Sequence, residues 1–330
     1  MKILVTGGAG YIGSHTVKEI LDKKWEVIVA DNFSRSTSGN LETLFGRMND
    51  DRIVYCDLRH KKHIKEIFAK HKFDAVIHFA AYKDVGESVL EPLSYYENNT
   101  LSLINVLEAV KKYKVPYFVF SSSCSVYGEA DTLPITEETL LKKAESPYGM
   151  TKQICEQIIT DTYRNMDGKA VLLRYFNPAG AHPDNIIGES PIGGANSLVS
   201  RIVSYAKGDL KEFSVYGNDY DTRDGSCVRD FIHVSDLANA HVTVLENIKS
   251  QEKAIEIYNV ATGKGTTVLE MINAFKEECK DIHVNIGPRR DGDIISAYSD
   301  NTKIEKQLNW KPKYTIKDIV KTAWAWANKK

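Results

Sequence analysis

Cysteine is sparse and scattered: Cys56, Cys124, Cys155, Cys227 and Cys279 are odd in number and form no C-x-x-C pair. That pattern argues against a disulfide framework and a zinc site, and fits a reducing compartment. Long apolar runs are also missing. The opening run Ile3-Leu4-Val5 gives way at once to glycines, too short for a signal peptide, and no stretch approaches the ~20 residues that cross a bilayer. A cytoplasmic protein without a membrane partner is expected. Neither sign of charge dominates: 43 basic against 44 acidic residues leave a formal net charge of -1. No global field attracts nucleic acid, so phosphate must be recognised by local groups. His60 and His63 stand at helical spacing, but a third ligand and an H-E-x-x-H are lacking, so no metal is expected.

What is present is ordinary globular composition, 42% hydrophobic and 26% charged, over 330 residues, enough for two lobes. Lys2 to Thr6 reads as a short buried strand, Tyr11 to Lys23 as a helix and Glu26 to Asp31 as a second strand. Between the first two, Gly7, Gly10 and Gly13 form G-x-x-G-x-x-G. The first glycine permits a tight turn, the next lets backbone approach a pyrophosphate at a helix N-terminus, and the last allows close helix–strand packing. Asp31 closes the second strand, where a carboxylate can accept bonds from an adenosine ribose. Its charge disfavours a 2′-phosphate, so NAD is expected over NADP, with Arg35 nearby as a complication.

Strand-like and helical segments continue to alternate: Ile53 to Asp57, Lys61 to His71, Ala75 to Ala80, Thr100 to Tyr113, Tyr117 to Ser121, Lys152 to Arg164, Ala170 to Tyr175. Apolar strands alternating with helices predict an α/β, Rossmann-like, doubly wound parallel sheet. The glycine-rich stretch Gly188 to Gly194 breaks this rhythm, and Phe231 to Val234 reads as a strand returning to the sheet. The expected division is a Rossmann domain of residues 1–176 with returning segments at about 229–262, and a smaller C-terminal substrate-binding lobe of about 177–228 and 263–330.

Tyr148 and Lys152 stand four residues apart where a helix begins, which places both on one face. An ammonium beside a phenol favours the phenolate, so the pair could make a general base; an exposed helix pair is the plain alternative. Asp57 could contact adenine with Leu58, or merely cap a loop. Ser121 to Ser123 offer hydroxyls at a strand end, for substrate or for the loop itself.

Together, Gly7 to Gly13, Asp31-Asn32, Asp57-Leu58, His78 to Ala81, Ser121 to Gly128 and Tyr148 to Lys152 resemble the extended short-chain dehydrogenase/reductase superfamily. Tyr175 to Ala181, Asn196 to Leu198, Val228 to Val234 and Arg289-Arg290-Asp291-Gly292-Asp293 narrow the resemblance to its UDP-glucose 4-epimerase family, along essentially the whole chain. The resemblance implies reversible C4 epimerisation of UDP-glucose and UDP-galactose through a 4-keto sugar on tightly held NAD, in a homodimer. Tyr148 would exchange the proton of the sugar 4-hydroxyl, Lys152 and the nicotinamide cation would lower its pKa, and Ser123 would steer the proton. Bringing a phenol from its usual value to near neutrality takes ~4 kcal/mol of preferential phenolate stabilisation.

The same resemblance assigns Gly7, Gly10, Tyr11, Ile12, Gly13, Asp31, Asn32, Asp57, Leu58, Phe79, Ala80, Lys83, Asn98, Tyr148, Lys152 and Phe176 to the cofactor. It assigns Ser123, Tyr148, Asn177, Asn196, Leu198, Tyr216, Arg229, Arg290, Asp293 and Ala297 to the UDP-hexose. The arginines suit a diphosphate, because a guanidinium presents its donors in a fixed fork. Tyr216 would stack on uracil. Ala297 occupies the place of a bulky tyrosine in relatives restricted to plain hexoses, which implies room for UDP-GlcNAc and UDP-GalNAc, although Ile294-Ile295 departs from the proline-containing pattern of the family. A dehydratase of the superfamily would carry an acid/base pair after a threonine near the fifth strand, where this chain has Ser123-Cys124-Ser125. A uronate epimerase would need a basic group for a carboxylate, and a non-catalytic sensor would be expected to lack the Tyr-Lys pair.

Overall fold

The computed structural model describes residues 1–47, 50–279, 282–290 and 293–329. Its first half runs β1 (Lys2–Thr6), α1 (Tyr11–Asp22), β2 (Glu26–Asp31), α2 (Gly39–Phe45), β3 (Ile53–Tyr55), α3 (Lys61–Lys70), β4 (Ala75–His78), α4 (Val85–Leu90), α5 (Pro92–Tyr96), α6 (Ser102–Tyr113), β5 (Tyr117–Ser123), α7 (Pro147–Tyr163) and β6 (Lys169–Tyr175). The second half runs β7 (Asn177–Ala179), α8 (Leu198–Ala206), β8 (Ser214–Tyr216), β9 (Val228–Arg229), β10 (Phe231–His233), α9 (Val234–Asn247), β11 (Ile255–Val260), β12 (Thr266–Thr267), α10 (Val268–Cys279), β13 (Asn285–Gly287), β14 (Ser296–Ala297), α11 (Thr302–Leu308) and α12 (Ile316–Ala327).

The main sheet has the order β11-β6-β5-β4-β1-β2-β3, and its pairs from β3 through to β6 are parallel. Strand order reverses between β1 and β4, the point at which doubly wound sheets open a ligand crevice. Leu4, Ile28, Val76, Phe118 and Leu172 from the strands pack with Ile64, Phe68, Val106, Val110 and Ile159 from the helices into one buried cluster. Burial of both sheet faces explains why these strands read as continuous apolar runs and not as alternating ones. Helix α7 starts where the sequence says it should. Ser146 accepts a hydrogen bond from the Gly149 amide at its N-terminus, and Pro147 occupies the first turn, where its missing amide hydrogen costs nothing.

The chain forms two compact units, one of Met1–Gly128, Leu140–Tyr175 and Ala238–Tyr258, the other of Glu129–Thr139, Phe176–Leu237 and Asn259–Lys330. Against the expected division, the part that returns to the first unit is Ala238–Tyr258, narrower than 229–262, and Phe176 and Glu129–Thr139 lie in the second unit. Glu129–Thr139 joins the second unit because Ile135 is buried there, its amide donating to Tyr298 and its carbonyl accepting from Asp300. Phe231–His233 forms a strand as expected, but β10 pairs in parallel with β7 and does not return to the main sheet. Phe213, Val215, Phe231, Met271, Phe275, Ile319 and Val320 make the core of this second unit.

Candidate active site

In the first unit, the turn after β1 is built for close backbone approach. Gly7 has φ +70°, and a Cβ there would fall 2.6 Å from the Ala80 nitrogen; one on Gly13 would strike the Gly7 carbonyl oxygen. The helix α1 N-terminus, which Tyr11, Ile12 and Gly13 begin, is thereby left open to an anion. Asp31 sits beside this turn, its carboxylate accepting from the amides of Ala9 (3.0 Å) and Phe33 (2.8 Å) and from Ser36 (3.1 Å). Burial pushes its pKa up, against the pull of those hydrogen bonds. Asn32 folds the next turn by accepting from the Ser34 amide at 3.1 Å. The open glycine cradle and the carboxylate at the end of β2 fit the pyrophosphate and ribose of a dinucleotide.

Arg35, the complication for cofactor choice, is engaged elsewhere: it forms an ion pair with Glu87, its guanidinium carbon 4.8 Å from the centre of the Tyr82 ring. Asp57 caps its loop. Arg59 grips the carboxylate through Nε (3.0 Å) and Nη2 (2.6 Å), which pulls its pKa down to about 2. The Leu58 carbonyl accepts from Asn105 at 2.9 Å. Phe79 and Ala80 lie directly after β4, the Phe79 amide bonding back to Thr6, and Lys83 follows on an exposed loop.

Asn98 lies buried in a π-helical turn, Glu97–Leu101, a distortion that recurs at functional sites. Its amide donates to Asn99, which in turn ties the Tyr82 backbone, through both N–H and C=O, to Thr151 on α7. Asn99 thus joins the loop after β4 to the helix of the candidate base. The sequence reading missed it; the adjacent Asn98-Asn99 pair inside a helical segment, where asparagine is a poor helix former, was the available signal.

Tyr148 is 9% exposed and shares a hydrogen bond with Ser123, whose Oγ also accepts from the amide (3.2 Å) and hydroxyl (3.0 Å) of Ser125. Lys152 lies one turn further on, nearly fully buried, its Nζ donating to the Ser121 carbonyl at 2.6 Å and standing 5.9 Å from the Tyr148 ring centre. Burial drives the Tyr148 pKa upward, the neighbouring Tyr175 hydroxyl adds to the rise, and the bond from Ser123 opposes it. Burial also lowers Lys152 to about 8, with Cys155 and Glu156 opposing. The sequence leads one to expect that the ammonium depresses the phenol. In this arrangement the ammonium is turned to Ser121, and desolvation dominates both groups.

Beneath this pair, Glu156 and Arg174 make a buried fork at 2.9 and 2.6 Å. Ser122 donates to the same carboxylate at 2.5 Å, and Arg174 reaches the Tyr127 hydroxyl at 3.1 Å. Neither residue stood out in the sequence, although Glu156 continues the four-residue spacing of Tyr148 and Lys152.

In the second unit, β14 pairs in parallel with β9 so that Ala297 lies opposite Arg229. Ala297 is 8% exposed, and Arg229 donates to the Val228 carbonyl at 2.9 Å. Arg290 covers a face of Tyr216, its guanidinium carbon 3.7 Å from the ring centre. The Asp293 amide reaches the Arg290 carbonyl at 3.3 Å; Asp291 and Gly292 of the same motif lie outside the described residues. Asn177 opens β7, opposite Phe231. Asn196 is exposed just ahead of α8, Leu198 begins that helix and packs toward the core, and Phe176 is buried at the start of this unit.

Residues 4–323 match the family described as GDP-mannose 4,6 dehydratase. UDP-glucose 4-epimerase 2 of Arabidopsis thaliana is 43% identical over 332 residues, covering 99% of this chain and 95% of the relative. The chain belongs to the UDP-glucose 4-epimerase family. The crystal structure of the Bifidobacterium longum UDP-glucose 4-epimerase in complex with NAD+ and UDP matches with a TM-score of 0.94 and 43% identity over 99% of this chain and 98% of that one. The UDP-Glc/GlcNAc 4-epimerase of Campylobacter jejuni matches with a TM-score of 0.85 and 38% identity, covering 99% and 98%.

Proposed function

We propose that this chain interconverts UDP-glucose and UDP-galactose by reversible inversion at C4, using NAD without net oxidation. The observation that carries the reading is full-length similarity to UDP-glucose 4-epimerases together with the Ser123–Tyr148 hydrogen bond beside Lys152. When bound, NAD supplies the hydride acceptor and donor for C4 of the sugar. Tyr148, as the phenolate, takes the 4-hydroxyl proton at its phenolic oxygen and returns it to the inverted hydroxyl, and Ser123 relays that proton over a short path. Lys152, as an ammonium, holds positive charge where phenolate character develops. Arg229 and Arg290 hold the diphosphate, and Tyr216 with Asn177, Asn196, Leu198 and Asp293 holds the rest of the UDP-sugar. Firm UDP binding leaves the pyranose free to turn over, which inversion on a single cofactor demands.

Ala297 supports acceptance of N-acetylated UDP-hexosamines as well, a substrate range that the Campylobacter jejuni enzyme's name also carries. A homodimer is part of the reading. Val89, Leu90 and Leu93 on α4 and α5 are 60%, 80% and 81% exposed, an apolar strip suited to a second copy. A cytoplasmic setting agrees with five cysteines outside any disulfide, of which Cys56 and Cys155 are held at about 12 by burial and so stay as unreactive thiols. The deciding experiment is incubation of purified protein with UDP-galactose and no added NAD. Appearance of UDP-glucose is expected; its absence, both without and with added NAD, refutes the assignment.

A further inference from the structure

A reaction that removes hydride and later returns it cannot release its cofactor between the two steps, so something must hold the dinucleotide while the sugar turns. Arg35 lies on the loop after β2, four residues beyond Asp31, and Glu87 lies on α4, after β4. In the sheet β1 stands between β2 and β4, and the glycine turn leaves the end of β1. An ion pair between Arg35 and Glu87 therefore ties together the chain segments that follow the two strands flanking β1, from whose end the glycine turn leaves. It is braced from both sides: the Tyr82 ring lies under the Arg35 guanidinium, and Tyr95 donates to the second oxygen of Glu87 at 2.8 Å while accepting from the Asp84 amide at 3.1 Å. Tyr82 is itself pinned by Asn99. Neither Arg35 nor Glu87 has a task in the chemistry described above.

We infer that Arg35 and Glu87 are positioning residues that latch the dinucleotide into the first unit and slow its release. The inference rests on the reading that this unit binds NAD. The pair is partly exposed, with side chains 52% and 34% accessible, so its effect is kinetic and modest and weakens with salt. It also consumes the positive charge that would otherwise welcome a 2′-phosphate.

The test is the rate at which bound NAD leaves the protein, read as NAD per chain after timed gel filtration of protein first saturated with NAD. Glu87→Gln is the informative variant because of its sign. Removing a carboxylate near an anionic cofactor would by itself retain NAD longer, whereas loss of the latch releases it sooner. We expect release about twofold to fivefold faster in low salt, the range of an exposed pair, and a smaller difference in high salt. Arg35→Glu should release faster still, and the reciprocal Arg35→Glu/Glu87→Arg should move back toward the wild-type rate. Release from Glu87→Gln at or below the wild-type rate overturns the inference, as does a reciprocal variant no better than Arg35→Glu. A wild-type protein that retains no NAD after saturation overturns the latch, while the cofactor reading is judged separately by UDP-galactose turnover with added NAD.

Discussion

Lys152 directs its ammonium to the carbonyl oxygen of Ser121 at 2.6 Å, and does so from a site so buried that its pKa falls from 10.5 to about 8. The strand end that carries Ser121 thereby fixes where the charge sits, and the Tyr148 phenol answers instead to burial, to the Tyr175 hydroxyl and to Ser123. His78, facing the same ammonium from β4, is held neutral by burial and by that charge, with its pKa at about 3.

Stability should record the buried lysine. Between pH 8 and 10.5 the unfolded chain retains a proton that the folded chain has lost, so stability should rise with pH across that interval. Urea unfolding of the cofactor-free protein at several pH values checks this, and Lys152→Met should remove that component of the slope. The proposed mechanism uses the ammonium, so turnover should fall as pH climbs through about 8. A wild-type slope identical to that of the variant would contradict the depressed lysine.

Replacing Tyr148 with phenylalanine should reduce kcat by about 10²–10⁴-fold, the usual contribution of a positioned acid/base group, while bound NAD per chain stays at the wild-type value. Ser123→Ala should lose less, since it removes the relay and leaves the base. Progress curves on UDP-galactose with cofactor quantified by absorbance after denaturation separate the two effects. A fully active Tyr148→Phe protein would remove this residue from the mechanism.

The Glu156–Arg174 fork lies beneath both groups, with side chains 6% and 4% exposed. Glu156→Ala leaves Arg174 as an uncompensated buried charge and should cost about 3–5 kcal/mol in chemical denaturation, whereas an apolar double replacement of similar volume should recover much of the loss. Equal destabilisation by the single and double replacements would show that packing, and not charge pairing, is at stake.

Ala297 stands opposite Arg229 in the β9–β14 pair, and the proposed function gives it control over sugar size. Ala297→Tyr should lower kcat/KM for UDP-GlcNAc by about 10–200-fold and leave UDP-galactose turnover within a fewfold of wild type. Parallel assays on the two substrates decide it; equal losses on both would point to general damage.

Arg290 over Tyr216 yields a prediction about binding. In the proposed function Arg290 holds the UDP moiety in ground and transition states alike, so Arg290→Ala should raise KM for UDP-galactose with kcat little changed. A fall in kcat at constant KM would instead place Arg290 in the chemical step.

Local chemistry determined much of this protein. Gly7, Gly10 and Gly13 between an apolar strand and a helix dictate an open cradle, because only glycine tolerates the positive φ at position 7 and the contact at position 13. The Ser146-Pro147 start of α7 and the four-residue step from Tyr148 to Lys152 likewise follow from short-range rules, and so do most strands of the main sheet. What tertiary structure alone decided are relations between residues far apart in the chain. Arg35 could have served a 2′-phosphate, and only the approach of α4 gave it Glu87. Asp57 closes a strand-like segment, and only the fold of its loop gave it Arg59 as a partner. Strand β10 had the composition of a returning strand, yet its partner became β7. Spacing specifies which side chains share a face of one element, but it carries no record of which elements meet, and charge partners, burial and the resulting pKa values all depend on that meeting.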